Sequence, residues 1–272
     1  MLVAAAEKAS EDGTPLVRRL DFEWPELPEA QREDQFLLGD DILVAPIDPF
    51  ANGGKQGAWN AQRQIWLPPG TWRDAFSGRD YAGNRTIQYS KVPIGEMPLF
   101  HRGGGFLLTV EARRSIADTD WSHIVIEAFP VPDQHRTTRY LVHRRSMPDS
   151  MGLDTERTEV TMEMVGASTV ALRMCGTLEQ EAGWANSSRA WTVRLAAPEG
   201  RSVLSAALDG APVAVNVLPG FSGSGAAGGS SQPLLGVGMR SSRPIAEIIL
   251  SAAPVGYARS LVVELGAEEV TV

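Results

Sequence analysis

Leu2, Val3, Ala6 and Ala9 fall at helical spacing with good helix formers between them, so the chain opens in a helix that Gly13 and Pro15 end. No capping residue precedes Leu2, which predicts a helix lacking its own start and a sequence that is a piece of a longer chain. Leu16, Leu20, Phe22 and Trp24 then predict a strand closed by Pro25 and Pro28, and the acidic stretch Glu26 to Asp34 predicts a loop or short helix. Ile42, Leu43, Val44 and Ala45 form an unbroken apolar run, the pattern of a strand buried on both faces. Residues 48–62 carry Gly53, Gly54 and Gly57 among polar neighbours and read as a surface loop. Short strands follow over 63–67, 71–76, 85–89, 97–102 and 106–109, punctuated by Pro68-Pro69-Gly70, Ser77-Gly78 and Gly103 to Gly105. From about residue 116 the pattern continues with fewer aromatic residues, over 123–129, 138–143, 159–165, 168–175, 190–196, 202–208, 213–217, 245–251 and 260–265. Asp209-Gly210 marks a hairpin, and the Gly- and Ser-rich residues 220–232 a further loop. The expectation is a mostly β protein: two successive antiparallel β-sandwich domains, 14–115 and 116–272, behind a helix in 1–13.

Composition supports two packed domains and narrows the partners. The 272 residues are 43% hydrophobic and 21% charged, enough to bury a core in each half. The net charge of −8 offers no basic field for phosphates, so neither nucleic acid nor an anionic membrane surface is expected as a partner. The apolar run Leu2 to Ala6 is too short for a secretory signal, and no stretch approaches the length of a membrane span. Cys175 is alone, which excludes an intrachain disulfide and leaves the compartment open. The triplets Asn84-Arg85-Thr86 and Asn186-Ser187-Ser188 read as chance matches to a glycosylation signal.

Candidate chemistry is sparse. The sequence has no His-Glu-x-x-His, no Cys-x-x-Cys, no phosphate-binding loop and no nucleophile elbow. His101, His123, His135 and His143 are scattered and read as solvated or structural. Gly223-Ser-Gly225-Ala-Ala-Gly228 fits a dinucleotide fingerprint in letters only, because no helix follows to receive a pyrophosphate. Asp40-Asp41 could supply an acid and a base, but neighbours on a strand point to opposite faces. They read instead as structural, one capping the turn after Gly39 and one pairing with Arg18 or Arg19. Trp59, Trp66, Trp72 and Tyr81 could stack on sugar rings. Trp66 and Trp72 are expected to point inward, leaving Trp59, in its Gly-rich loop, as the better candidate for exposure.

Four segments resemble a known family. Gly13-Thr-Pro15-Leu-Val-Arg18-Arg-Leu-Asp-Phe-Glu23-Trp-Pro25 is similar to the exit from the barrel in glycoside hydrolase family 31. Asp34-Gln35-Phe-Leu-Leu-Gly39-Asp40-Asp-Ile-Leu-Val-Ala45-Pro46-Ile, Ile65-Trp-Leu67-Pro68-Pro-Gly70-Thr-Trp72-Arg-Asp74 and Pro98-Leu-Phe-His-Arg102-Gly-Gly104 follow in the family's order and spacing. Arg19 stands where the family usually has Pro and Trp24 where it usually has Phe, and the distal Tyr-Glu-Asp-Asp-Gly element is missing near Tyr140. The resemblance implies that residues 1–13 end the last barrel helix, that 14–115 form a proximal β-sandwich and that 116–272 form a distal β domain. It implies an α-glycosidase (α-glucosidase or α-xylosidase type) of the retaining kind, whose nucleophile and acid/base lie in a barrel outside this sequence. No position here matches either carboxylate, so no catalytic, cofactor-binding or metal residue is assigned and no cofactor is expected. The implied partner is the catalytic barrel, with an α-linked carbohydrate as a second candidate. Two other readings stay open: a free-standing carbohydrate-binding β module, and an interaction subunit that completes a barrel from another chain.

Overall fold

The computed structural model describes residues 2–47, 61–92, 97–111, 113–115, 118–132, 136–146, 153–178, 188–218, 245–254 and 257–267. A helix, α1 (Leu2–Asp12), leads into β1 (Val17–Arg19), a helical turn α2 (Leu20–Glu23) and a 3-10 turn over Pro28–Gln31. Then come β2 (Phe36–Leu38), β3 (Ile42–Val44), β4 (Ala61–Leu67), β5 (Thr71–Asp74), β6 (Asp80–Ala82), β7 (Arg85–Val92), β8 (Leu99–Arg102) and β9 (Phe106–Thr109). The second half holds β10 (His123–Ala128), β11 (Thr137–Ser146), β12 (Leu153–Val165), β13 (Thr169–Leu178), β14 (Ser188–Leu195) and β15 (Arg201–Leu208). It finishes with β16 (Ala211–Val213), β17 (Asn216–Leu218), β18 (Ile245–Pro254) and β19 (Arg259–Ala267).

The proximal unit is built on a six-stranded sheet of order β1-β2-β3-β8-β5-β6, with the β4–β7 hairpin laid against it. Leu37, Leu43, Trp72 and Phe100 on one face of that sheet pack with Ile65, Trp66 and Leu67 of the hairpin and with Leu20 of α2. The opposite face is also covered: Ile42 and Val44 pack against Leu107, Phe129 and Ala196 of the second half. This is why the run in β3 is unbroken, since all three residues of the strand are buried.

The distal unit is a two-layer sandwich. A five-stranded sheet, β17-β18-β14-β10-β9, faces a six-stranded one, β11-β12-β13-β19-β15-β16. Alternate residues fill one core, among them Ile124, Ile126, Trp191, Val193, Ile248 and Leu250 from the first sheet, and Val160, Met162, Leu172, Leu261 and Val263 from the second. Each such side chain contributes roughly 1.5–3 kcal/mol of burial, which is what holds the layers together. The pairings are antiparallel except β10 with β14, which run parallel. Strand β9 pairs with β10, and Phe106 and Leu108 enter the distal core from the N-terminal side of residue 115. Asp209 (φ 51°) and Gly210 (φ 83°) are both left-handed and turn the β15–β16 hairpin.

Three expectations differ from the structure. The strand expected over 16–24 lasts only through β1, because Leu20 to Glu23 coil into a turn that drops Leu20 fully into the proximal core. The strand expected over 213–217 is split between β16 and β17, which join opposite layers of the distal sandwich. Ala61 and Gln62, expected in a loop, begin β4. The rest of the 48–62 loop and the 220–232 loop lie outside the described residues.

Candidate functional site

Helix α1, the β2–β3 turn and the edge of the distal sandwich meet around a cleft of about 330 Å³. Two adjacent carboxylates organise it. Asp40 and Asp41 sit in the turn between β2 and β3, where Gly39 donates its amide to the Leu16 carbonyl at 2.8 Å. Arg18 on β1, 4% exposed along its side chain, donates to Asp40 at 2.7 Å and to Glu23 at 2.6 Å. Arg139 on β11 of the distal unit reaches back with two bonds to Asp41, at 2.6 and 2.7 Å, and lies 3.8 Å from Asp40. The helix adds Lys8, 3.9 Å from Asp40, and Glu7, which accepts from Arg157 on β12 at 3.1 Å. A Cβ at position 105 would lie 2.6 Å from Asp41 Oδ1, so only glycine lets the chain pass that carboxylate.

The electrostatics fit a clamp. Burial alone would raise the Asp40 pKa, but Arg18, Arg139 and Lys8 outweigh it and hold the carboxyl below its usual value. Burial works against the Arg139 charge in the same way, and Asp41 followed by Asp40 reverses the balance and raises its pKa. A general acid needs a carboxyl kept neutral, and a nucleophile needs a free oxygen facing a substrate. Asp40 is held in its ionised form, and the oxygens of both Asp40 and Asp41 are engaged by guanidinium groups. What the arrangement can do is fix β1, the β2–β3 turn and β11, the last two joined by a contact between residues 98 apart, in one geometry.

A second set of contacts ties the units at the other end of the seam. Arg73 on β5 is held by Asp80 at 2.6 and 2.7 Å, and donates to the carbonyls of Ala196 and Ala197 at 3.0 and 3.1 Å. Backbone bonds from Gly104 to Phe129 (2.7 Å) and from Phe129 to Gly105 (3.1 Å) run beside it.

The residues singled out from sequence are placed as follows. Asp40 pairs with Arg18 as expected, whereas Arg19 turns to Asp21 and Glu33. Asp41 does not cap the turn; it binds Arg139, a contact with no trace in local sequence. Trp66 and Trp72 are buried at 1% and 0%, and the Trp72 indole donates to the Pro68 carbonyl at 2.8 Å, so neither offers a face to a sugar. Tyr81 packs edge-on against Phe100 with Arg85 over its ring. His123 bonds the Thr192 hydroxyl at 2.8 Å and His101 is buried in the seam. Asn84 is exposed at the β6–β7 turn, and Cys175 is a free, half-buried thiol. Trp59, His135, Asn186, the Gly223 to Gly228 segment and the His143 side chain lie outside the described residues. Among the described residues no three His, Cys, Asp or Glu side chains gather as metal ligands, and no helix is long and apolar enough to cross a membrane.

Residues 13–107, which hold β1 to β8 and the Asp40-Asp41 turn, match the glycosyl hydrolase family 31 C-terminal domain. Residues 13–107 carry the C-terminal domain of glycoside hydrolase family 31. The chain is similar to a 1,6-alpha-glucosyltransferase of Sporosarcina globispora, 29% identical over 142 residues, or 51% of this chain and 10% of that protein. Neutral alpha-glucosidase AB of Mus musculus is 33% identical over 98 residues, 36% of this chain and 10% of that protein. The chain thus spans about a tenth of the length of the curated relatives it matches. In fold it is similar to a family 31 dextranase of Flavobacterium johnsoniae, with a TM-score of 0.71 at 16% identity, over 97% of this chain and 30% of that one.

Proposed function

We propose that this chain is the C-terminal accessory region of a retaining α-glycosidase, bracing a catalytic barrel that hydrolyses O-glycosyl bonds in carbohydrate metabolism. The observation that carries the reading is the match of residues 13–107 to the C-terminal domain of a glycosidase family whose named members are about ten times as long as the matched segment. The chain by itself is inactive, and its physical task is to bury apolar surface against the barrel. Val17 on the edge strand β1 and Phe22 on α2 support this, since both are more than half exposed. In this reading α1 belongs to the barrel, 14–115 form the proximal unit and 116–272 the distal one, with β9 of the first completing a sheet of the second. The Arg18–Asp40 and Arg139–Asp41 clamp then sets the angle at which the barrel helix leaves the β units.

The test is an assay of the purified chain against an aryl α-glucoside, alone and with a separately produced family 31 barrel. No turnover by the chain alone, and a complex with the barrel on size-exclusion chromatography, is the expected result. Turnover by the chain alone, or a barrel that ignores it, overturns the reading.

A further inference from the structure

His101 lies on β8 in the middle of the proximal sheet, opposite Ile42 of β3 on one side and Arg73 of β5 on the other. Its ring points across the seam and stacks on Phe129 of the distal unit, with centroids 4.3 Å apart and planes 10° from parallel. It is 1% exposed, and neither ring nitrogen has a hydrogen-bond partner among the described residues. The groups facing it are apolar, namely Ile42, Phe129 and Ala196, apart from the Arg73 guanidinium, whose own counter-ion is Asp80. Among the described residues the charge that acts on the imidazole is that of Arg73, and the buried Glu127 lies on β10, two residues before Phe129.

A neutral imidazole tolerates this site, because its flat face replaces an apolar side chain against Phe129. A protonated one does not. Protonation adds a second N–H without an acceptor and a full charge beside Arg73. We propose that the seam between the two β units is an acid-release contact and that His101 is its trigger. Protonation is accommodated by swinging the ring out, which breaks the stack on Phe129 and the adjoining Gly104–Phe129 backbone bonds.

Burial first, and the Arg73 charge second, push the folded-state pKa of His101 from 6.5 to about 3. The folded value lies below the unfolded one, so seam stability is complete above the unfolded pKa and falls as pH drops below it. Between pH 7 and pH 5 the closed-to-open equilibrium constant should fall about 25-fold.

The experiment is native-state hydrogen exchange on the whole chain at pH 7, 6 and 5, corrected for intrinsic rates, on the wild type and on His101→Phe, which keeps the stack and cannot titrate. The expected result is that opening at the Gly104 and Phe129 amides rises by about 25-fold in the wild type and stays flat in His101→Phe. Core amides such as Leu172 should not move in either. Equal rises in both proteins, or seam and core amides loosening together, overturn the proposal. A side-chain NMR titration of the wild type gives a reading that does not depend on the variant folding. A ring still neutral at pH 5 in the closed seam supports the trigger, and a ring protonated at pH 6 with the seam closed overturns it.

Discussion

Strands β3 and β18 show two ways of burying a strand. In β3 every residue is buried, because one face meets the hairpin core and the other meets the distal unit. In β18, Ile248 is fully buried while Ile249, one residue on, is 60% exposed. A residue in the first setting is constrained wherever it points, and a residue in the second only at every other position. The family match and the likeness in fold differ in reach. The family match by sequence ends at residue 107, near the end of the doubly covered sheet, while the likeness in fold extends over 97% of the chain. A sandwich can keep its layers while its outward residues drift.

The comparison can be broken by substitution. Glu156 and Arg189 form a buried ion pair between the distal layers, with Glu156 wholly buried and Arg189 Nη2 at 2.6 Å. Glu156→Ala leaves the guanidinium without its counter-ion and should cost about 3–5 kcal/mol in urea unfolding. The double change Glu156→Leu with Arg189→Met should recover most of that loss; no recovery would mean the pair is needed for more than charge balance. Next comes the pattern itself. Ile248→Ala should cost about 2–5 kcal/mol and Ile249→Ala less than about 0.5 kcal/mol, whereas Leu43→Ala and Val44→Ala should both destabilise by more than about 1 kcal/mol. A tolerant Val44 would remove the two-faced reading of the proximal sheet.

Arg139→Met should cost about 1.5–3 kcal/mol, since it deletes charge-assisted bonds to a buried carboxylate. Its effect should fall on both units at once, which separate unfolding transitions would contradict. The smallest effect is acidic. Asp40 has a folded pKa below its unfolded one, so it contributes stability above the unfolded value and loses it as pH falls through the folded value. Asp40→Asn should therefore lower stability near neutrality and flatten the stability profile below about pH 4. A flatter profile near pH 6 instead would assign the acid sensitivity elsewhere.

Much of this was legible where the signal is local. The unbroken run at 42–45, the inward Trp66 and Trp72 and the Asp209-Gly210 hairpin each follow from a few neighbouring residues. The clamp was half legible. Arg18 lies near enough in sequence to be named as the partner of Asp40, but Arg139 is 98 residues from Asp41 and nothing in its surroundings marks it. The break at Leu20 was hidden because Leu20, Phe22 and Trp24 alternate as a strand would, and only the core decides that Leu20 is worth a helical turn. The seam was invisible for the same reason: Arg73 and His101 alternate like any strand residues, and what they face arrives from a separate part of the chain.

Strand β19 lies in the middle of its sheet, between β13 and β15. During synthesis the chain from β11 to β16 therefore emerges as two ribbons with no common edge, each with one side of the future sandwich exposed. Closure waits for residues 259–267, the last strand described, to be threaded between them. A ribosome paused before those residues presents two open sheet edges to whatever is nearby, a longer exposure than in the proximal unit, whose strands are complete by residue 102.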